Sequence, residues 1–211
     1  MDFIKGIERA LAGELPGTIA HQKMISYARP SAEIIRASDT EPRLSAVMIL
    51  FYKNDGEWYF PLIKRQEYPG VHSRQISLPG GQYEDSDKDL QFTSIRETEE
   101  ELGISSDGIE VIGKLSDIYI PPSNFLVEPY VGFTEKELEF QPDEIEVERV
   151  IPTSVREFAS LEIEKDEREI RDGKLRIQVN SFRIDNEVVW GATAMMLSEL
   201  KMIMEAEGFY H

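Results

Sequence analysis

An α/β fold, with a mixed sheet and helices on both sides, is the architecture this sequence predicts. Short apolar runs rich in β-formers alternate with segments of helical period along the chain. Neither an internal repeat nor a long linker interrupts them. With 211 residues, the chain is long enough for one generous domain, or one domain with appendages.

The elements follow in order. Residues from 2 to about 12 have helical period, and Leu15-Pro16-Gly17 breaks it. A second short helix is expected over His21 to Tyr27, before Pro30. Leu44 to Tyr52 is an apolar run and reads as a buried strand. Asn54-Asp55-Gly56 turns it into a second strand, where Trp58, Phe60 and Leu62 alternate with other residues. Pro69-Gly70 and Pro79-Gly80-Gly81 bracket a loop. Asp87 to Leu102 is the clearest helix, closed by Gly103. Glu110 to Ile120 and Val127 to Thr134 read as strands around Pro121-Pro122, and Val147 to Ile151 as another. Ser154 and Glu157 form a capping box for a short helix. Glu162 to Asp172 reads as a solvated acidic face. Lys174 to Trp190 is a hairpin turning at Asp185-Asn186, and Ala192 to Glu207 a final helix stopped by Gly208.

Charge narrows the function. Asp plus Glu number 40 against 23 Lys plus Arg, a formal net charge of -17. Non-specific nucleic-acid binding needs a basic face, and so does docking on anionic lipid; neither is expected here. No apolar run reaches the roughly 20 residues of a bilayer span, and the N-terminus lacks a signal-peptide centre. Cysteine is absent, which removes disulfides, thiolate nucleophiles and Cys-zinc sites. His21, His72 and His211 show no metal-ligand spacing. A soluble cytoplasmic protein is the expectation.

The chemistry is concentrated in LPGGQYEDSDKDLQFTSIRETEEELGI, residues 78 to 104. Eight acids stand against Lys88 and Arg96 between Glu84 and Glu101. At helical period, Glu97, Glu100 and Glu101 fall within an arc of about 100°, with Phe92, Ile95 and Leu102 opposite. Like charges three and four residues apart weaken a helix by a few tenths of a kcal/mol each. A divalent cation removes that cost, and Mg²⁺ prefers oxygen ligands shared between carboxylates and substrate phosphates. A glutamate run is most often a solvated face. Here the glycine pair, the arginine and the closing glycine stand at fixed offsets as well. Gly80-Gly81 permits close backbone approach at the mouth of the helix. Arg96 is placed to pair with one of the glutamates and hold it in register.

This segment resembles the Nudix box: Gly, five residues, Glu, seven residues, then Arg-Glu-apolar-any-Glu-Glu-any-Gly-apolar. Arg96, Glu97, Glu100, Glu101, Gly103 and Ile104 match in order, with Thr98 at the apolar position. The N-terminal half is one residue longer, with Gly81 as the glycine and Asp87 in place of the first Glu. That extra residue is similar to the coenzyme A pyrophosphatase group. So is the upstream string LIKRQEYPGVHSRQISLPGG, through Arg65, His72, Gln75, Ile76, Ser77, Pro79, Gly80 and Gly81. Arg74 stands where that group has Gly, and Leu78 where it has Phe. Val127 to Gly132 (Glu128 replacing Thr), Asp143-Glu144-Ile145, Pro152 and Trp190-Gly191-Ala192-Thr193-Ala194 also look like segments of the group.

The resemblance implies a Nudix-type α/β/α sandwich over residues 41–211, with residues 1–40 a helical extension outside it. It implies hydrolysis of a diphosphate attached to another moiety, by a water activated on Mg²⁺ or Mn²⁺. The implied metal ligands are Glu97, Glu100, Glu101 and the Gly81 carbonyl. A box glutamate or a later loop acid such as Glu144 is the implied base, and Arg96 orients the box. Arg65, Arg74 and Gln75 are candidates for holding substrate. A loop hydrogen bond is the simpler role for His72, and core packing the simpler role for Trp190. Met195, Met196, Met202 and Met204 fit packing of the last helix. Coenzyme A or acyl-CoA is the implied substrate. ADP-ribose or a dinucleoside polyphosphate, and a non-catalytic ligand-binding regulator, stay open beside it. The partner is a small nucleotide derivative; a homodimer is left open.

Overall fold

The computed structural model describes residues 2–25, 30–67, 74–170 and 175–209. Strand β1 (Arg43–Asn54) is the hub of the sheet. It runs parallel to β7 (Phe125–Phe133), in register from Arg43↔Phe125 to Phe51↔Phe133. Its C-terminal end turns at Asp55-Gly56 into antiparallel β2 (Glu57–Arg65). Short β3 (Ile76–Ser77) adds to β2, and β4 (Gly80–Gln82) adds to β1. Beyond β7 lie β5 (Glu110–Lys114) and β6 (Ile118–Ile120), and β8 (Val147–Ser154) pairs with β2. One parallel pair among antiparallel neighbours makes the sheet mixed.

Helices cover both faces, which is why β1 reads as an unbroken apolar run. Met48 and Leu50 point to one face, against Leu102 and Ile104 at the end of helix α4 (Leu90–Leu102). Ile49 and Phe51 point to the other face. There they join Phe3, Ile4 and Ile7 of α1 (Phe3–Leu11) and Ala194, Leu197 and Leu200 of α6 (Gly191–Ala206). Helix α1 therefore shares the main core.

Several expectations shift. The second helix lies over Gly17–Gln22 (α2), not from His21 onward, and residues 26–29 are outside the described set. Helix α1 ends at Leu11, so Leu15-Pro16-Gly17 separates the two helices as expected, and Pro16 is the N-cap of α2. Helix α3 (Ala32–Arg36), capped by Ser31, was not expected. The loop before the box contains β3 and β4. The single strand over 110–120 is two, broken after a register shift beside Gly113, whose φ is +154°. Helix α4 begins at Leu90, capped by Asp89, which frees Asp87 for another partner. Helix α5 (Val155–Ser160) carries the expected Ser154 cap. The acidic stretch contains a strand, β9 (Glu164–Ile170), in a three-stranded sheet with β10 (Leu175–Ile184) and β11 (Glu187–Trp190).

Candidate active site

Helix α4 crosses β1 and β4 so that its carboxylate face meets the glycine turn. Gly81 is where the Glu97 side chain touches the strand: a Cβ built there would collide with the Glu97 carboxylate, so glycine leaves that carboxylate its place. The Gly81 carbonyl accepts a hydrogen bond from the Ser45 hydroxyl at 2.7 Å. One residue earlier, the Gly80 N–H donates to Glu101 Oε2 at 2.8 Å. Gly103 ends the helix in the left-handed conformation (φ +62°). Thr98, at an apolar position of the box, is fully buried and satisfies its hydroxyl on the Ser94 carbonyl.

Arg96 organises the cluster. Its Nε and Nη2 donate to the two oxygens of buried Asp87, at 2.9 and 3.0 Å. Its Nη1 lies 3.0 Å from Glu97 Oε1 and 2.9 Å from Glu100 Oε2. The paired Arg96 bonds, outweighing burial, hold the Asp87 carboxyl at about 2. Among the box acids burial works the other way. It pushes Glu101 up to about 8, and the Arg65 charge and the Gly80 N–H only partly offset it. Glu97 is also raised, chiefly by burial. Glu100 is the exposed member, its side chain 60% accessible.

Arg65 is brought to this cluster: Nη1 reaches Glu101 Oε1 at 3.3 Å, and its buried Nε has no partner among the described residues. The Gln75 carbonyl accepts the Arg65 N–H. Arg74 turns to Glu67, 3.2 Å away, and has a left-handed backbone (φ +55°). A glycine suits that backbone better, so the departure at Arg74 carries a conformational cost of about 1 kcal/mol. Glu144 offers its carbonyl to the Gln66 amide. The loop acid whose charge reaches Glu97 and Glu101 is Glu146. Asp143 caps this turn, accepting from the N–H groups of residues 145, 146 and 147. Nothing in a run of alternating acids identifies that residue beforehand. His72 lies outside the described residues.

Among the described residues no three acidic or histidine side chains are gathered into a ready metal cage. The donor set nevertheless suits a hard divalent cation: carboxylate oxygens of Glu97, Glu100 and Glu101, with burial raising the carboxyls of Glu97 and Glu101, and a glycine that leaves room for Glu97.

Residues 42–172 match the NUDIX domain family. The chain is 32% identical over 163 residues to Nudix hydrolase 15, mitochondrial, of Arabidopsis thaliana, covering 74% of this chain and 57% of that protein. It is 29% identical over 139 residues to the Nudix hydrolase NudL of Yersinia pestis, covering 66% of this chain and 69% of that protein. The chain spans little more than half the length of the plant relatives. A MutT/nudix family protein from Enterococcus faecalis has the same fold, with a TM-score of 0.52 at 17% identity, over 97% of this chain and 75% of that one. The chain belongs to the NUDIX domain family.

Proposed function

We propose that the chain hydrolyses a nucleoside diphosphate derivative, and specifically the diphosphate of coenzyme A or its thioesters. The products are 3′,5′-ADP and 4′-phosphopantetheine, or its acylated form. One observation carries the coenzyme A reading. Two distant strings that look like the coenzyme A group meet at β3, where the Thr193 hydroxyl donates to the Ile76 carbonyl at 3.2 Å.

Glu97, Glu100 and Glu101, with the Gly81 carbonyl, hold Mg²⁺ or Mn²⁺. The ion supplies neutralisation of the diphosphate and an acidified water. With a net charge of -17, the chain as a whole repels a polyanion, and such a cation offsets that repulsion at the site. Arg65 takes a phosphoryl oxygen next to Glu101. A later loop acid accepts the proton, Glu144 or Glu146, and the Glu146 charge reaches Glu97 and Glu101. Arg96 and Asp87 set the helix face.

The test is kcat/KM with Mg²⁺ and Mn²⁺ for coenzyme A, 3′-dephospho-coenzyme A, ADP-ribose and diadenosine polyphosphates, with products identified by mass. Preference for coenzyme A is expected. Brisk ADP-ribose or dinucleotide cleavage without coenzyme A cleavage overturns the substrate and keeps the chemistry. Binding without turnover of any compound points to a regulator.

A further inference from the structure

We propose that Arg43 is a specificity residue of the same active site, taking the 3′-phosphate of coenzyme A on the free edge of its guanidinium. This rests on the coenzyme A reading above.

Arg43 opens β1 on the side of the sheet that Ile49 and Phe51 also face. Ser45, the next residue on that side, donates its hydroxyl to the Gly81 carbonyl at 2.7 Å. Residues two apart in a strand are separated by about 7 Å. Arg43 therefore starts a short way from a carbonyl assigned to the metal. Its Nη1 donates to the side chain of Gln82, the neighbour of Gly81 in the chain, at 3.3 Å.

The guanidinium is held in place without being neutralised. Its Nη2 donates to the Ser123 carbonyl at 2.8 Å, and its Cζ lies 4.0 Å from the centre of the Phe125 ring, which covers one face. The turn that supplies these partners is fixed as well. The Arg43 N–H donates to the Asn124 carbonyl, the Asn124 amide to the Glu41 carbonyl, and the Tyr119 hydroxyl to Asn124 Oδ1. The Nε–H and the second hydrogens of Nη1 and Nη2 have no partner among the described residues.

Charge sets this arginine apart. Arg65 lies on Glu101 at 3.3 Å and Arg74 on Glu67 at 3.2 Å, so a carboxylate offsets each of them. Arg43 has no carboxylate partner among the described residues, although the chain carries 40 acids against 23 bases. A rigid, unneutralised fork suits a phosphomonoester, which carries close to two negative charges and accepts paired N–H bonds. The 3′-phosphate is that group in coenzyme A, and 3′-dephospho-coenzyme A lacks it.

Steady-state kinetics on these two compounds with Mn²⁺ test the assignment in wild type, Arg43→Ala and Arg43→Lys. Wild type should prefer coenzyme A in kcat/KM. Arg43→Ala should lower that preference at least about tenfold, through KM for coenzyme A, and leave 3′-dephospho-coenzyme A unaffected. Arg43→Lys keeps the charge but loses the fork and the ring contact, and should fall between. A wild type indifferent to the 3′-phosphate, an equal loss on both compounds in Arg43→Ala, or a preference that survives in that variant overturns the proposal and leaves the coenzyme A reading standing. A wild type that cleaves neither compound overturns that reading, and this proposal with it. A second measurement needs no variant: 3′,5′-ADP should inhibit wild type at least about fivefold more strongly than 5′-AMP. Equal inhibition rules the subsite out.

Discussion

Among the described residues two glutamates, Glu101 and Glu199, are buried almost completely, and their surroundings treat them in opposite ways. Glu199, in the middle of α6, receives the Gly17 N–H at 3.0 Å, the Ser116 hydroxyl at 2.7 Å, the Ser116 N–H at 3.2 Å and His21 Nε2 at 3.0 Å. Burial alone would raise its carboxyl, but the bonds from His21, Ser116 and Gly17 outweigh burial and hold it below the usual range. Glu101 has one short N–H bond and one longer arginine contact, and burial pushes it to about 8. Equal burial therefore does not mean equal function. A carboxylate saturated with donors is a staple, here joining α2, the β5–β6 connection and α6. A carboxylate short of donors sits where a further positive charge is stabilising.

Exchanging each glutamate for glutamine breaks this comparison most directly. Glu101→Gln should lower kcat by roughly two orders of magnitude or more, because a neutral amide neither holds nor balances the ion. Its urea midpoint should stay near wild type, since the amide oxygen still accepts from Gly80. Glu199→Gln should keep turnover per folded molecule while costing about 3 kcal/mol of stability, because its NH₂ must face groups that are all donors. If both variants lose stability alike, Glu101 is a staple as well.

Titration sharpens the contrast. A carboxyl raised to about 8 takes up a proton on folding, so metal-free stability should decline as pH rises from the ordinary carboxylate range toward 8. Glu101→Gln should flatten that slope. Glu199 is lowered, so its stabilisation is present above the ordinary carboxylate value and is lost as pH falls through its depressed one. Glu199→Gln should remove that acid-side loss. Urea unfolding from pH 3 to pH 9 reads both windows, and identical profiles for the two variants would refute the opposite signs.

A smaller effect is expected at the arginine. Arg96→Lys keeps the charge but loses the fork that Asp87 grips, so kcat should fall about tenfold to a hundredfold, as for other residues that orient metal ligands. Full activity would return Arg96 to an ordinary surface charge.

The two sites also differ in how far the sequence revealed them. The box helix was legible because its acids, arginine and glycines stand at offsets that a helical period converts directly into a face. Glu199 was not singled out, although a lone acid among Ala194, Met195, Met196, Leu197, Leu200 and Ile203 is a signal in itself. Its donors come from residues about 80 and 180 positions away, pairings that only the tertiary fold creates. Strand β9 was hidden because its alternating charges satisfy one another across the hairpin, as in Arg183 with Glu164 and Asp166, so no apolar face announces it. The hub strand, its hairpin and the final helix were legible because burial on one or both faces leaves a periodic apolar record.

The smallest expected effect tests what saturation means at Glu199. Ser116 donates twice to this carboxylate, through its hydroxyl and through its backbone N–H. Ser116→Ala deletes only the hydroxyl. The carboxylate then still has the Ser116 N–H, the Gly17 N–H and His21, and no buried donor is orphaned. The cost should be about 1 kcal/mol, the worth of one hydrogen bond among several, and turnover should not change. Urea unfolding of Ser116→Ala, Glu199→Gln and the double variant closes a cycle. If Ser116→Ala alone costs as much as Glu199→Gln, the network acts as a unit and donor number is the wrong measure of saturation. If the double variant is no worse than Glu199→Gln, the hydroxyl acts through Glu199. The difference between the two glutamates then comes down to how many donors the fold brings to each.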